Sequence, residues 1–134
     1  YYSTGSVKKP KIISEGQFNF EEKPSRANRL SKKNDVFQAR MQYSEKSLLI
    51  DDNFQNCLFS TGFLQFRTLV ECSPKYLFYL LNSGLFLVQR DNYATGSTQK
   101  ALTDSGLKKI FIPLAPIDEQ KRIVSKIEEL FSKT

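Results

Sequence analysis

IFIPLAPIDEQKRIVSKIEELF, residues 110–131, holds the change of period on which the reading of the fold turns. The β-branched and aromatic run Ile110, Phe111, Ile112 stops at Pro113, which has no N–H to give a ladder. A strand over 107–114 is therefore predicted to end there or to lie at a sheet edge. Pro116 then opens a helix, with Asp118 and Glu119 in the first turn, where carboxylates favour the positive end of the helix dipole. Gln120, Ile123, Ile127 and Leu130 follow at alternating steps of three and four, and Val124 and Phe131 widen the stripe. This is a coiled-coil-like seam of about two heptads. Such a seam needs cover, either from its own domain or from a second helix.

Upstream, Ser73-Pro74 is a helix start, with serine as N-cap and proline in the first turn. Leu77, Leu80 and Leu81 at helical spacing predict a helix over 74–82, broken by Asn82-Ser83-Gly84 and followed by a second over 85–92. Strands are predicted at Val36, Phe37 and Ala39 after a Lys32-Lys33-Asn34-Asp35 turn, at 47–50, and within 57–70. In the last of these Phe63, Phe66 and Leu69 are the expected core, and Thr61-Gly62 is a turn or bulge. A short turn or helical piece is expected at 102–106. Residues 1–35 read as short strands and exposed loops punctuated by Gly5, Pro10, Gly16 and Pro24.

The fold class that follows is α/β in the α+β manner: a twisted mixed β-sheet packed with short helices, ending in a long amphipathic helix. The division is 1–114 for a globular domain and 115–134 for the start of the terminal helix. The chain opens on Tyr1 and ends within a helical pattern, so it reads as a piece of a longer protein.

Of 134 residues, 40% are hydrophobic, enough for one core. Twenty Lys and Arg against fourteen Asp and Glu give a net charge of +6, which favours a polyanionic partner or an anionic membrane surface over an acidic protein. No apolar run reaches the roughly 20 residues that span a bilayer, and no signal peptide opens the chain. Cys57 and Cys72 read as two buried reduced thiols in a cytoplasmic protein, with a disulfide as the alternative.

The absence of histidine rules out a Ser-His-Asp triad and a histidine-bearing zinc site, and neither glycine-rich phosphate motif is present. Asp104 with Glu119-Gln120-Lys121 is a nuclease-like acid and E-x-K set, but the chemistry needs E-x-K on a strand, whereas Glu119 opens a helix. The expectation is a protein without catalysis of its own. Ten cations fall in the first 46 residues: Lys8, Lys9, Lys11, Lys23, Arg26, Arg29, Lys32, Lys33, Arg40 and Lys46. They interleave with amides and hydroxyls that match base edges, and a solvated loop surface is the bland alternative. The expected DNA contacts are Gln38, Arg40, Tyr43, Ser44 and Lys46, with Lys32 and Lys33 on phosphates. Gly96, Ser97, Thr98, Gln99 and Lys100 form a second group in a polar turn whose glycine permits close backbone approach.

The stretch GSTQKALTDSGLKKIFIPLAPIDEQKRIVSKIEELF, 96–131, resembles the end of a target recognition domain in the specificity subunit of type I restriction-modification systems. That family carries a polar G-[ST]-x-Q turn, a strand ending I-x-I-P-L-P-P and a helix opening x-E-Q-x-x-I-V. Ala115 stands here where proline is usual. SRANRLSKKNDVFQARM resembles the family's stretch before K-x-G-D-[IV]-L, with Asn34 in place of glycine, and STGFLQFRTLVECSPKYLFYLLNS is similar to its S-x-G-F strand and proline-initiated helix. The resemblance implies a domain that binds double-stranded DNA sequence-specifically and reads half of a bipartite site. Its terminal helix would pair through Gln120, Ile123, Ile127 and Leu130 with an equivalent helix, by self-association or from a second half, and dock methyltransferase subunits. Restriction subunits would join the full complex, and S-adenosylmethionine, ATP and Mg2+ would act only in those partners. Two other readings stay open: the specificity module of a single-chain restriction enzyme and methyltransferase, and a protein-interaction module with an incidental basic face.

Overall fold

The computed structural model describes residues 1–8, 11–12 and 27–133. Lys9, Lys23 and Arg26 of the amino-terminal basic set lie outside these residues, as do Pro10, Gly16 and Pro24. The elements run β1 (Val7–Lys8), β2 (Lys11–Ile12), β3 (Ala27–Leu30), β4 (Val36–Ala39), β5 (Ser47–Leu49), β6 (Leu58–Ser60), β7 (Phe63–Phe66), α1 (Pro74–Leu81), α2 (Gly84–Tyr93), α3 (Asp104–Leu107) and α4 (Ile117–Ser132), with a 3-10 turn at Thr4–Ser6. The class is α+β. Strands pair antiparallel as β1-β2, β3-β6 and β5-β4-β7, and a parallel bridge from Tyr2 to Phe59 makes the arrangement mixed.

β4 is the organising strand, and all four of its residues are buried. A strand alternates its side chains, so burial of every position requires cover on both faces. Phe37 enters a cluster with Tyr2, Leu48, Ile50, Phe59 and Phe63, stacking on Phe59 with ring centroids 4.4 Å apart. Val36 enters the other cluster, with Leu64, Leu77, Leu81, Phe86 and Leu102, which joins the sheet to α1, α2 and the segment before α3. Gln38 is fully buried, and its Nε2 donates to the Leu81 carbonyl at the end of α1 at 2.6 Å.

The turn into β4 is set by Asp35. Its carboxylate accepts from the Lys32 N–H, from Gln65 and, in a fork, from the Nε and Nη2 of Arg67 at 2.8 Å each. Asn34 sits at φ 73°, in the left-handed region that glycine and asparagine enter most readily, so asparagine in place of the usual glycine leaves the turn intact. The Ser73 cap is formed, its hydroxyl accepting from the Tyr76 N–H.

Two expected elements differ. The strand predicted over 107–114 does not form. Leu107 instead closes α3, and residues 110–116 have no ladder. Pro113 and Pro116 remove donors, and side chains bond several of the other backbone groups. Gln89 donates to the Phe111 carbonyl and accepts from its N–H, and the Tyr76 hydroxyl donates to the Pro113 carbonyl. Leu69, expected in the core, is 80% exposed because β7 ends at Phe66, where Arg67 turns toward Asp35. Cys57 and Cys72 are half-buried rather than buried, and burial pushes the Cys72 thiol up from its ordinary value.

α4 does not project alone. Gln120, fully buried, accepts from the Ser73 N–H at 2.7 Å and donates to the Glu71 and Ala115 carbonyls at 2.9 and 2.7 Å. Further along, Lys75 pairs with Glu128, and Tyr79 meets Phe131 edge-on. Gln120 is therefore a lock between α4 and its own domain, and the expectation that it meets a partner helix is corrected. Its amide is spent and its surface is covered.

Candidate nucleic-acid interface

At the end of β4 the chain makes a tight turn over Met41–Ser44, with the Ser44 N–H donating to the Met41 carbonyl at 3.1 Å. Tyr43 stands at φ 66° and is 77% exposed. A bulky residue in the left-handed region is an outlier that persists only where its surroundings over-determine it. Here the Tyr43 N–H donates to Asp91 Oδ1 at 2.9 Å, and Gln42 Nε2 donates to the Asp91 carbonyl at 3.0 Å, both at the end of α2.

The second turn lies alongside. Thr95 and Ala101 exchange backbone hydrogen bonds of 3.0 and 2.9 Å and close a loop whose residues Gly96, Ser97, Thr98, Gln99 and Lys100 are all exposed. Gly96 has φ 139°, and a Cβ there would stand 2.5 Å from the Gln99 carbonyl oxygen. Glycine is thus required by the loop's own closure. The Gln42 N–H donates to the Lys100 carbonyl at 2.9 Å and Met41 bridges Ala101, so the two turns form one continuous edge. The edge offers a phenol, two further hydroxyls, an amide and an ammonium, the donor and acceptor types that read base edges and hold phosphates.

Of the residues expected to touch DNA, Tyr43, Gly96, Ser97, Thr98, Gln99 and Lys100 are brought together in the open, and half-buried Ser44 lies beside them, its hydroxyl accepting from the Lys46 N–H. Lys46 is turned to the amino-terminal segment, its Nζ donating to the Thr4 carbonyl at 2.8 Å. Lys32 and Lys33 are exposed on the turn at the other end of β4, with Lys33 paired to Asp52 at 3.1 Å. The length of the strand, about 13 Å for four residues, separates them from this polar edge.

Two expectations are corrected. Gln38 is enclosed, its Nε2 on Leu81 and its Oε1 accepting from the Ala39 N–H, so it has no face for a base. Arg40 donates through Nε to the Thr61 carbonyl at 2.9 Å and through Nη1 to the Leu102 carbonyl at 3.1 Å, and its Nη2 pairs with Asp104 at 3.0 Å. Its side chain is mostly covered and holds the exit of the 95–101 loop against the end of β4. The composition that made Arg40 look like a base reader could not reveal this, because its partners lie 21 and 62 residues away in sequence.

Sequence reading missed Arg90 and Asp91. Arg90 is 1% exposed and donates to the Ala39 carbonyl and to Asp91. An Arg-Asp pair in the last turn of a helix before a polar loop is the available signal, and it is a weak one. Among the described residues no group of three or more acidic, Cys or His side chains could hold a metal ion, and no helix is long and apolar enough to cross a membrane.

The α1–α4 contact leaves an open apolar groove of about 420 Å³ lined by Phe78, Tyr79, Ile127, Leu130 and Phe131 with Ser47 and Asn82. Ile123 and Ile127 are half-buried and Leu130 is 51% exposed.

The family model described as Type I restriction modification DNA specificity domain matches residues 30–134. Two solved structures are similar over 98% of the chain. One, from work on complex assembly and conformational transition of the type I R-M system, is 29% identical with a TM-score of 0.85. The other, the HsdS subunit from Thermoanaerobacter tengcongensis, is 28% identical with a TM-score of 0.81. The chain spans 35% of the length of each. No match is found among curated proteins.

Proposed function

Since the chain belongs to the type I restriction modification DNA specificity domain family, we propose that it binds double-stranded DNA sequence-specifically through the edge formed by its 41–44 and 96–100 turns. That edge would read one half of a bipartite site. The observation that supports this most is the joining of the two turns by the Gln42–Lys100 bond, with Tyr43 and Ser97 to Lys100 exposed on the same rim. Tyr43, Ser97, Thr98 and Gln99 would read bases, and Lys100 would hold a phosphate. Lys32 and Lys33, at the far end of β4, would meet the backbone at a separate point.

In this reading residues 1–114 recognise DNA and 115–134 begin the spacer. Gln120 fixes the angle at which α4 leaves the domain, while Ile123, Ile127 and Leu130 face a partner helix, either from a second half of the subunit or by self-association. Methyltransferase subunits would dock there and restriction subunits join the full cytoplasmic complex. S-adenosylmethionine, ATP and Mg2+ would act in those partners, and this chain would supply recognition without catalysis.

The test is duplex binding as a function of salt. Log affinity is expected to fall linearly with log salt, and Lys100→Ala is expected to reduce the slope by about 0.9, one phosphate contact. Salt-independent binding would sink the proposal and favour an interaction module with an incidental basic face.

A further inference from the structure

We propose that Asp91, acting with the buried Arg90, is the positioning residue that fixes the 41–44 turn and, through it, the 96–100 loop in the geometry that discriminates one DNA sequence from another. The inference rests on the DNA-reading assignment above and adds to it a residue that does not itself face DNA. Asp91 Oδ1 accepts from the Tyr43 N–H at 2.9 Å and from Arg90 Nε at 3.0 Å, and it forms an ion pair with Arg90 Nη2 at 3.0 Å. The Asp91 carbonyl accepts from Gln42 Nε2 at 3.0 Å, and the Gln42 N–H in turn donates to the Lys100 carbonyl at 2.9 Å. One residue at the end of α2 thus holds the backbone of Tyr43 and the side chain of Gln42, and Gln42 hands the constraint on to the second turn.

Three features make this more than a structural contact. First, Tyr43 is held at φ 66°, a conformation that a non-glycine residue keeps only under external restraint, and the restraint on its N–H is the Asp91 carboxylate. Second, a carboxylate close to a DNA-reading edge would repel phosphate if exposed, but the Asp91 side chain is only 20% exposed and Arg90, itself 1% exposed, neutralises it. Third, Arg90 Nη1 donates to the Ala39 carbonyl at 3.2 Å, so the pair is anchored to the last residue of β4 and transmits the rigidity of the core to the turn. A site whose supporting groups are locked in this way keeps its reading groups in one orientation, which is what separates discrimination from mere attraction.

The experiment compares affinity for the duplex that the intact protein selects from a randomised library with affinity for a scrambled duplex of the same length. Asp91→Ala is expected to lower that ratio about tenfold, the worth of one hydrogen bond to a charged group. Asp91→Asn, whose Oδ1 still accepts from the Tyr43 N–H, is expected to recover most of the ratio although it no longer neutralises Arg90. A merely structural role gives the opposite pattern: both variants leave Arg90 buried without its counter-charge, and both lower specific and scrambled affinity together with the melting temperature. An unchanged ratio in Asp91→Ala, or Asp91→Asn as poor as Asp91→Ala, overturns the proposal. Where Asp91→Ala does not fold, Gln42→Ala decides the matter together with Asp91→Asn. It removes the side-chain bond to the Asp91 carbonyl and leaves Arg90 paired, so the ratio should fall about threefold, and an unchanged ratio overturns the proposal. Failure of the wild-type protein to discriminate at all is a separate result, which removes the DNA-reading assignment and the inference with it.

Discussion

Asp35 shows how much one side chain settles at the scale of a residue. Burial alone would push its carboxyl up, but the hydrogen bonds from Arg67, Gln65 and the Lys32 N–H outweigh burial and hold it below the ordinary value of 3.8. The unfolded chain therefore takes up the proton more readily than the folded one, and stability rises with pH across the interval between the two values. Asp35 contributes fully above the unfolded value, and its contribution is lost as pH falls through the lower, folded one. The expected outcome in denaturant titrations is a gap between wild type and Asp35→Asn that is widest near pH 6 and narrows as pH falls below 3.8. A gap that widens on acidification would contradict the assignment. Gly96 gives a second test. With φ 139° and the Gln99 carbonyl in the way of a Cβ, Gly96→Ala should destabilise the loop by about 1–3 kcal/mol and reduce selective DNA binding more than the melting temperature. At this scale the sequence was legible where a residue's own backbone preference speaks, as with Gly96 and the Lys32–Asp35 turn. It was illegible where a long polar side chain chooses between solvent and a distant carbonyl. Gln38, Arg40 and Gln120 all read as surface chemistry, and all three are held inside by partners far along the chain.

Elements were legible in proportion to their local signals. The serine cap and leucine spacing marked α1, the Pro116 and acidic first turn marked α4, and short apolar runs after turn formers marked β4 and β5. The segment before α4 failed as a strand because its backbone is held to α1 and α2 by the Tyr76 hydroxyl and the Gln89 amide, and no neighbouring strand supplies a ladder, while Phe111 and Leu114 stay exposed. The Gln120 lock carries a prediction about the terminal helix. Gln120→Ala leaves the Ser73 N–H and the Glu71 and Ala115 carbonyls without the partner they have in the fold, a loss of about 2–3 kcal/mol. Amide exchange in 117–132 should accelerate more than in β4. Equal acceleration in both would mean that α4 unfolds only with the whole domain.

At the scale of the whole molecule the sheet and helices serve to hold two short turns side by side at one end of β4. In the proposed reading the net charge of +6 would attract DNA without telling one sequence from another, and the exposed polar edge would discriminate. The type of fold and the terminal motif were open to reading from sequence, since the G-S-T-Q turn and the proline-bounded run keep fixed spacing. The pairing of residues 41–44 with 96–100 was not, because it depends on α2 returning to the end of β4. The most direct measurement is selection from a randomised duplex library at moderate salt, with the chain assembled with the methyltransferase subunit proposed as its partner, followed by sequencing of the retained DNA. The account predicts enrichment of a short half-site that Gln99→Ala weakens while Lys32→Ala lowers recovery evenly across sequences. A flat library with the wild-type chain would contradict it.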